Sequence, residues 1–161
     1  MSKKAILFSY INVSQRIKDL EEALAELRMS QIGKGLVNDG MPHAPGITDL
    51  SGYAARVDEL ETAIQKAASA KVMIKREFRR ACRFLTTQEK NVIWSRYICD
   101  RMAAETARLY HIPRRTYYEI LKRGEEKIPI REEDIVGFLH EAGVGDHPAK
   151  RKRLSGCYPI S

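Results

Sequence analysis

The stretch LTTQEKNVIWSRYICDRMAAETARLYHIPRRTYYEILKRGEEKI, Leu85 to Ile128, reads as three short amphipathic helices separated by two turns. Thr86 and Glu89 have the spacing of a capping box, in which hydroxyl and carboxylate each satisfy a backbone N–H at a helix start. Val92, Ile93 and Tyr97 give this first helix one apolar side. A second helix is predicted from about Met102 to Tyr110, with Ala103 and Ala107 one turn apart on a face small enough for a neighbouring helix to approach closely. His111 then stands where a tight turn between helices usually has glycine, at a backbone cost if the residue is left-handed. Pro113 suits the first turn of a third helix, because its missing N–H would have no partner there. In that helix Tyr117, Ile120, Leu121, Gly124 and Ile128 recur at steps of three and four, leaving Arg114, Arg115, Thr116, Tyr118, Glu119 and Lys122 for solvent or a groove.

Helix-turn-helix spacing with basic residues opening the last helix is the pattern of a reader of double-stranded DNA. An arginine fork matches guanine O6 and N7, threonine meets a base edge or phosphate, and lysine neutralises phosphate. The competing reading of the same residues is a solvated charged face on a helical bundle. Charge distribution separates the two. The 161 residues carry a net charge of +7, and Lys71 to Arg123 alone holds 14 Lys or Arg against 5 Asp or Glu. The rest of the chain, with 14 basic and 16 acidic residues, is slightly acidic. Basicity gathered on the reader and on the helix entering it is the footprint of a nucleic-acid binder, whose affinity comes largely from displaced counterions. A membrane-surface helix would instead need a broad apolar face of bulky residues opposite the charges.

Upstream, Ile6, Tyr10, Val13, Ile17, Leu20, Leu24 and Leu27 alternate steps of four and three, so a long amphipathic helix is predicted. The segment from about Ser30 to Leu50 concentrates Gly, Pro, Asn and Asp and should break it, with Met41, Pro42, His43 and Pro45 its distinctive residues. A second long helix follows from about Ser51, with Tyr53, Val57, Leu60, Ile64, Ala67, Ile74 and Phe78 on its seam and Lys71 interrupting it. Two long helices joined by one loop should return antiparallel as a hairpin, and the same seam is open to pairing in a homo-oligomer. The run KREFRRACR at Lys75 to Arg83 makes Arg79, Arg80 and Arg83 candidates for flanking phosphate contacts. Phe78 and Phe84 are expected to pack the hairpin against the reader, whereas Trp94 lies off its helix's stripe, suited to a junction or to a partner.

Beyond Pro129, Ile135, Phe138 and Leu139 form a short apolar turn able to dock on the core, and a tail with KRKR at Lys150 to Arg153 is expected to be disordered. The predicted architecture is therefore all-α: a hairpin over 1–84 with its loop at about 30–50, a trihelical helix-turn-helix over 85–128, and a short helix with basic tail over 129–161. The three cysteines, Cys82, Cys99 and Cys157, lack CxxC spacing and suit a reducing cytoplasm. The four histidines are scattered, so no metal or other cofactor is expected. The opening MSKKAILFSY is too short for a signal peptide or a membrane span. No nucleophile motif, phosphate-cradling glycine loop or paired-carboxylate setting suggests an enzyme.

These residues together resemble the phage late-gene transcriptional regulators of the RinA/ArpU type, whose DNA-binding half is similar to region four of bacterial sigma factors. The resemblance spans most of the chain: the long first helix, GMPHAPGITD, the second long helix, LTTQEKNVIWSRYI and AAETARLYHIPRRTYYEILKRGEEKI. It implies a cytoplasmic, sequence-specific activator of phage or prophage late genes in a bacterial host. Ile112 would be the buried turn residue, Arg114, Arg115, Thr116 and Glu119 would face the major groove, and Lys122 and Arg123 would meet the backbone. Pro113 and His111 depart from the pattern, which often has a capping Ser or Thr and a Gly at those places. Two other functions fit such a module: an adaptor holding RNA polymerase, which would co-purify without promoter DNA, and a packaging protein of the small-terminase kind, which would form rings.

Overall fold

The computed structural model describes residues 3–35 and 47–144, which form seven α-helices and no strand. The fold is all-α. A one-turn helix α1 (Lys3–Leu7) leads into α2 (Ser9–Gly35), which pairs with α3 (Ile47–Ala81). A 3-10 turn over Cys82–Phe84 joins α3 to α4 (Thr87–Tyr97), α5 (Ala103–Leu109) and α6 (Arg114–Lys127), and α7 (Glu133–Glu141) closes the chain.

The two long helices run antiparallel, with Arg28 Nη2 2.8 Å from Glu61 Oε1 and, toward the other end, Lys71 Nζ 5.3 Å from the centre of the Tyr10 ring. Lys71, which breaks the apolar stripe in the sequence, thus lies over an aromatic face and need not enter the core. Helix α2 continues to Gly35 and α3 already begins at Ile47, so the helical spans reach further into the Gly/Pro-rich segment than the predicted limits of 30 and 50. Met41, Pro42, His43, Pro45 and the basic tail lie outside the described residues.

Burial along the hairpin is uneven. Tyr53, Val57, Leu60 and Ile64 are half-buried, whereas Ala67, Ala70, Ile74 and Phe78 are fully buried where further helices cover them. The cover on one side is α7, which sets Ile135, Leu139 and Ala142 into the core against α3 and α2. Its end is a Schellman closure, in which Val144 N donates to Leu139 O at 2.9 Å and Gly143 N to His140 O at 3.0 Å, with Gly143 left-handed at φ +66°. On the other side Ile93 and Tyr97 of α4, with Ile128, enter the same buried cluster. One core therefore crosses both expected boundaries, at 84/85 and at 128/129, and Trp94 packs at that junction. Phe84 does not: it is 72% exposed, because the 3-10 turn after α3 rotates it away from the face on which Phe78 sits.

Candidate nucleic-acid interface

Three helices hold α6, the candidate reading helix, in place. The Thr86 capping box forms as the spacing predicts, with Glu89 N donating to Thr86 Oγ1 at 3.4 Å and Thr86 N to Glu89 Oε2 at 3.0 Å. The same carboxylate accepts from Lys127 Nζ at 2.7 Å, so one side chain starts α4 and anchors the last turn of α6. Lys127 and the Thr86 N–H hold the Glu89 carboxyl below the usual range against the opposing effect of burial. Where α4 and α6 cross, Gly124 faces Ile93, and a β-carbon there would lie 2.8 Å from Ile93 Cγ1. Farther along, Tyr97 donates to Glu125 Oε1 at 2.5 Å, and burial followed by that bond pushes the phenol pKa strongly upward.

Helix α5 is fastened to α4 by a buried hydroxyl pair, Ser95 and Thr106 at 3.0 Å, and Thr106 also donates to Met102 O. Its C-terminus is a second Schellman closure: His111 N donates to Arg108 O at 3.3 Å and Ile112 N to Ala107 O at 3.0 Å. His111 adopts φ 51°, the left-handed conformation expected of a glycine position. A left-handed non-glycine residue costs about 1–2 kcal/mol, of which glycine returns part as lost chain entropy. His111→Gly should therefore raise stability by about 0.5–1 kcal/mol in chemical denaturation. An unchanged or lowered midpoint would mean that the histidine side chain offsets its backbone cost.

Ile112, expected as the buried turn residue, is half-buried against Val92, Tyr117 and Ile120. Pro113 lies one place earlier than expected. It is the N-cap of α6, extended at ψ 145°, with its carbonyl accepting from Tyr117 N at 3.0 Å. Having no side-chain acceptor, it leaves the first N–H groups of α6 without the cap that a Ser or Thr would supply.

On α6, Tyr117, Ile120, Gly124 and Ile128 face inward. Arg115, Glu119 and Lys122 are spaced by four and three, so they share the strip opposite the core. Arg114, Arg115, Tyr118, Glu119, Lys122 and Arg123 are exposed and Thr116 is half-buried. Arg115, with its side chain 92% exposed, pairs with Glu119 at 3.3 Å, a surface contact worth only about 0.3–0.5 kcal/mol and readily exchanged for a ligand. Arg123 donates to the Glu119 carbonyl at 3.5 Å and borders a hollow with Thr86 and Thr87 at the start of α4. Tyr118 turns toward α1, its ring edge-on to Tyr117 at 5.2 Å.

Arg79, Arg80 and Arg83 are exposed at the end of α3 and in the following turn. Arg80 lies 3.9 Å from Glu77, and among the described residues no hydrogen bond or ion pair joins any of the three to α6. Residues not singled out from sequence do border it. Lys3 Nζ donates to the Glu126 carbonyl of α6 at 3.0 Å, Phe8 meets the Tyr97 ring edge-on at 4.9 Å, and the Arg96 guanidinium lies 5.5 Å from the Phe8 ring centre. The signal available in the sequence was the run Ile6-Leu7-Phe8, three adjacent apolar residues that cannot all occupy one helical stripe.

Among the described residues no helix is long and apolar enough to cross a membrane. Comparison of the chain with protein-family models, with curated proteins and with solved structures gives no match.

Proposed function

We propose that the chain is a sequence-specific DNA-binding regulator of transcription that enters the major groove with the N-terminal half of α6. The observation that carries this reading is the division of α6 into two sides. One is locked into the α4 crossing through Gly124, and the other presents Arg114, Arg115, Lys122 and Arg123 uncovered at the surface. A merely solvated helix has no need of a left-handed turn and a glycine crossing to fix its angle to its neighbours. A reading helix does, because base-edge hydrogen bonds fail within a few tenths of an ångström. Arg114 and Arg115 then read bases, Thr116 and Glu119 flank them, and Lys122 and Arg123 meet phosphates. The resemblance to phage late-gene regulators of the RinA/ArpU type points to phage or prophage genes as those regulated and to activation as the outcome.

The deciding experiment is selection of bound sequences from a random duplex pool at two salt concentrations. A shared motif should emerge, and no enrichment at either salt would sink the proposal. With that motif in hand, Arg115→Ala should weaken binding to it by about 1–3 kcal/mol and relax preference at one position. Lys122→Ala should weaken selected and random duplexes alike and flatten the salt dependence. Equal losses on both duplexes for Arg115→Ala would remove that residue from base readout.

A further inference from the structure

The sequence draws attention to Arg79, Arg80 and Arg83 as flanking phosphate contacts, but the structure puts a different set of cations beside the reading helix. A groove of about 820 Å³ runs between α1, α4 and α6, and its walls carry Lys3, Lys4, Arg96 and Lys122. Two carboxylates, Glu125 and Glu126, share it. Glu125 already accepts from Tyr97, and Lys3 is held at the Glu126 carbonyl. Among the described residues Lys4, Arg96 and Lys122 form no ion pair with any carboxylate.

We propose that Lys4 and Arg96 extend the phosphate-contacting edge of α6 beyond Lys122, so that α1 and the end of α4 grip the DNA backbone beside the groove that α6 reads. This rests on the DNA-binding reading given above. Three features of the site carry it. Lys122, exposed on α6, lines the same groove as Lys4 and Arg96, so the three cations border one continuous surface. Arg96 is half-buried and stacked over Phe8, so its guanidinium is positioned before any ligand arrives and loses little side-chain freedom on binding. Helix α1 is itself fixed to the reader, through Lys3 to Glu126 and through Phe8 to Tyr97, so Lys4 is displayed from a fixed turn and not from a loose end. Phosphate contact by lysine and arginine carries no sequence information but sets register, and a second row of contacts would fix the rotation of α6 in its groove.

The test measures affinity of the full-length chain against salt, for a duplex bearing the selected motif and for a random duplex of equal length. Each lost phosphate contact lowers the slope of log affinity on log salt by about 0.9, so between 50 and 200 mM salt a variant should lose about 3.5-fold less affinity than wild type. Lys4→Ala and Arg96→Ala should each show this change on both duplexes, and the double variant should show twice the change in slope. Lys66→Ala, exposed on α3 far along the hairpin, is the control and should leave the slope unchanged. Thermal unfolding of each variant separates loss of contact from loss of fold, and Lys4→Ala, which removes no side-chain hydrogen bond or ion pair among the described residues, carries the decision if Arg96→Ala unfolds. Wild-type slopes for Lys4→Ala and Arg96→Ala would overturn the inference while leaving the reading by α6 intact. Loss confined to the selected duplex would overturn it too, by showing base contact in place of phosphate contact. Failure of the wild-type chain to bind either duplex would instead remove the DNA-binding reading and this inference with it.

Discussion

Gly124→Val should destabilise the fold by about 3 kcal/mol or more and, under the proposed function, abolish DNA binding, although no nucleic-acid contact is assigned to Gly124. A glycine inside an exposed helix normally costs about 1 kcal/mol relative to alanine, so replacing it would ordinarily help. Here the added β-carbon would meet Ile93 Cγ1 at 2.8 Å and Cδ1 at 3.2 Å, and Ile93 is fully buried, so its side chain must shift within the core. Overpacking of a close core costs about 1–3 kcal/mol, so Gly124→Ala should lose about 0–2 kcal/mol net of its propensity gain. Valine adds two more carbons to the same contact. A double-mutant cycle isolates the cause: Ile93→Ala alone should cost about 2–5 kcal/mol, and less in the Gly124→Ala background, with a coupling of at least about 1 kcal/mol. Denaturant midpoints supply all four corners. A Gly124→Ala variant more stable than wild type would show that α4 and α6 do not need this approach, and with it would go the claim that their angle is held by a glycine.

Gly124 also marks a limit of what the sequence disclosed. Its place on the apolar stripe of α6 was legible from steps of three and four, as were the Thr86 capping box, the small face of α5 and the left-handed position of His111, because each depends on residues close in sequence. Periodicity likewise gave the all-α fold and the hairpin seam, and even the docking of Ile135 and Leu139. What stayed hidden was long-range. Nothing local to Gly124 names Ile93, thirty-one positions earlier, as the side chain it must admit. Phe84 has the same composition cue as Phe78, but a 3-10 turn changes the residue angle just where α3 ends and leaves it in solvent. Two cations beside α6 were missed for the same reason: Lys4 and Arg96 come to one groove with it because α1 packs back on α4 and α6 through Leu7 and Phe8. The basic run at Lys75 to Arg83 was conspicuous in one dimension, yet among the described residues no hydrogen bond or ion pair joins Arg79, Arg80 or Arg83 to α6.

Glu89→Ala is expected to be the most damaging change to a charged residue in the reader, at about 2–3 kcal/mol. The substitution removes the acceptor for the Thr86 N–H, a cap worth about 1 kcal/mol, and the partner of Lys127. The ion pair is asymmetric, with the Glu89 side chain 5% exposed and that of Lys127 52% exposed. Its loss should therefore cost more than the 0–1 kcal/mol or so of a surface pair, yet less than the roughly 3–5 kcal/mol of breaking a fully buried one, since Lys127 can turn to water. Glu89→Gln keeps an oxygen for Thr86 and discards the charge, so it should cost about 1 kcal/mol at neutral pH. The pH dependence separates charge from shape. The carboxyl of Glu89 titrates lower in the folded chain than in the unfolded one, first because Lys127 donates to it and then because the Thr86 N–H does. Its contribution is therefore complete above the ordinary carboxylate range and disappears as pH falls through the lowered value. Stability of wild type and Glu89→Gln should converge in acid and separate toward neutrality. Parallel curves from acid to neutral pH would mean that the Glu89–Lys127 pair adds nothing as a charge pair. Because that pair ties the first turn of α4 to the last turn of α6, under the proposed function its loss should also weaken DNA binding where the chain is fully folded, by freeing the angle at which Arg114 and Arg115 are presented.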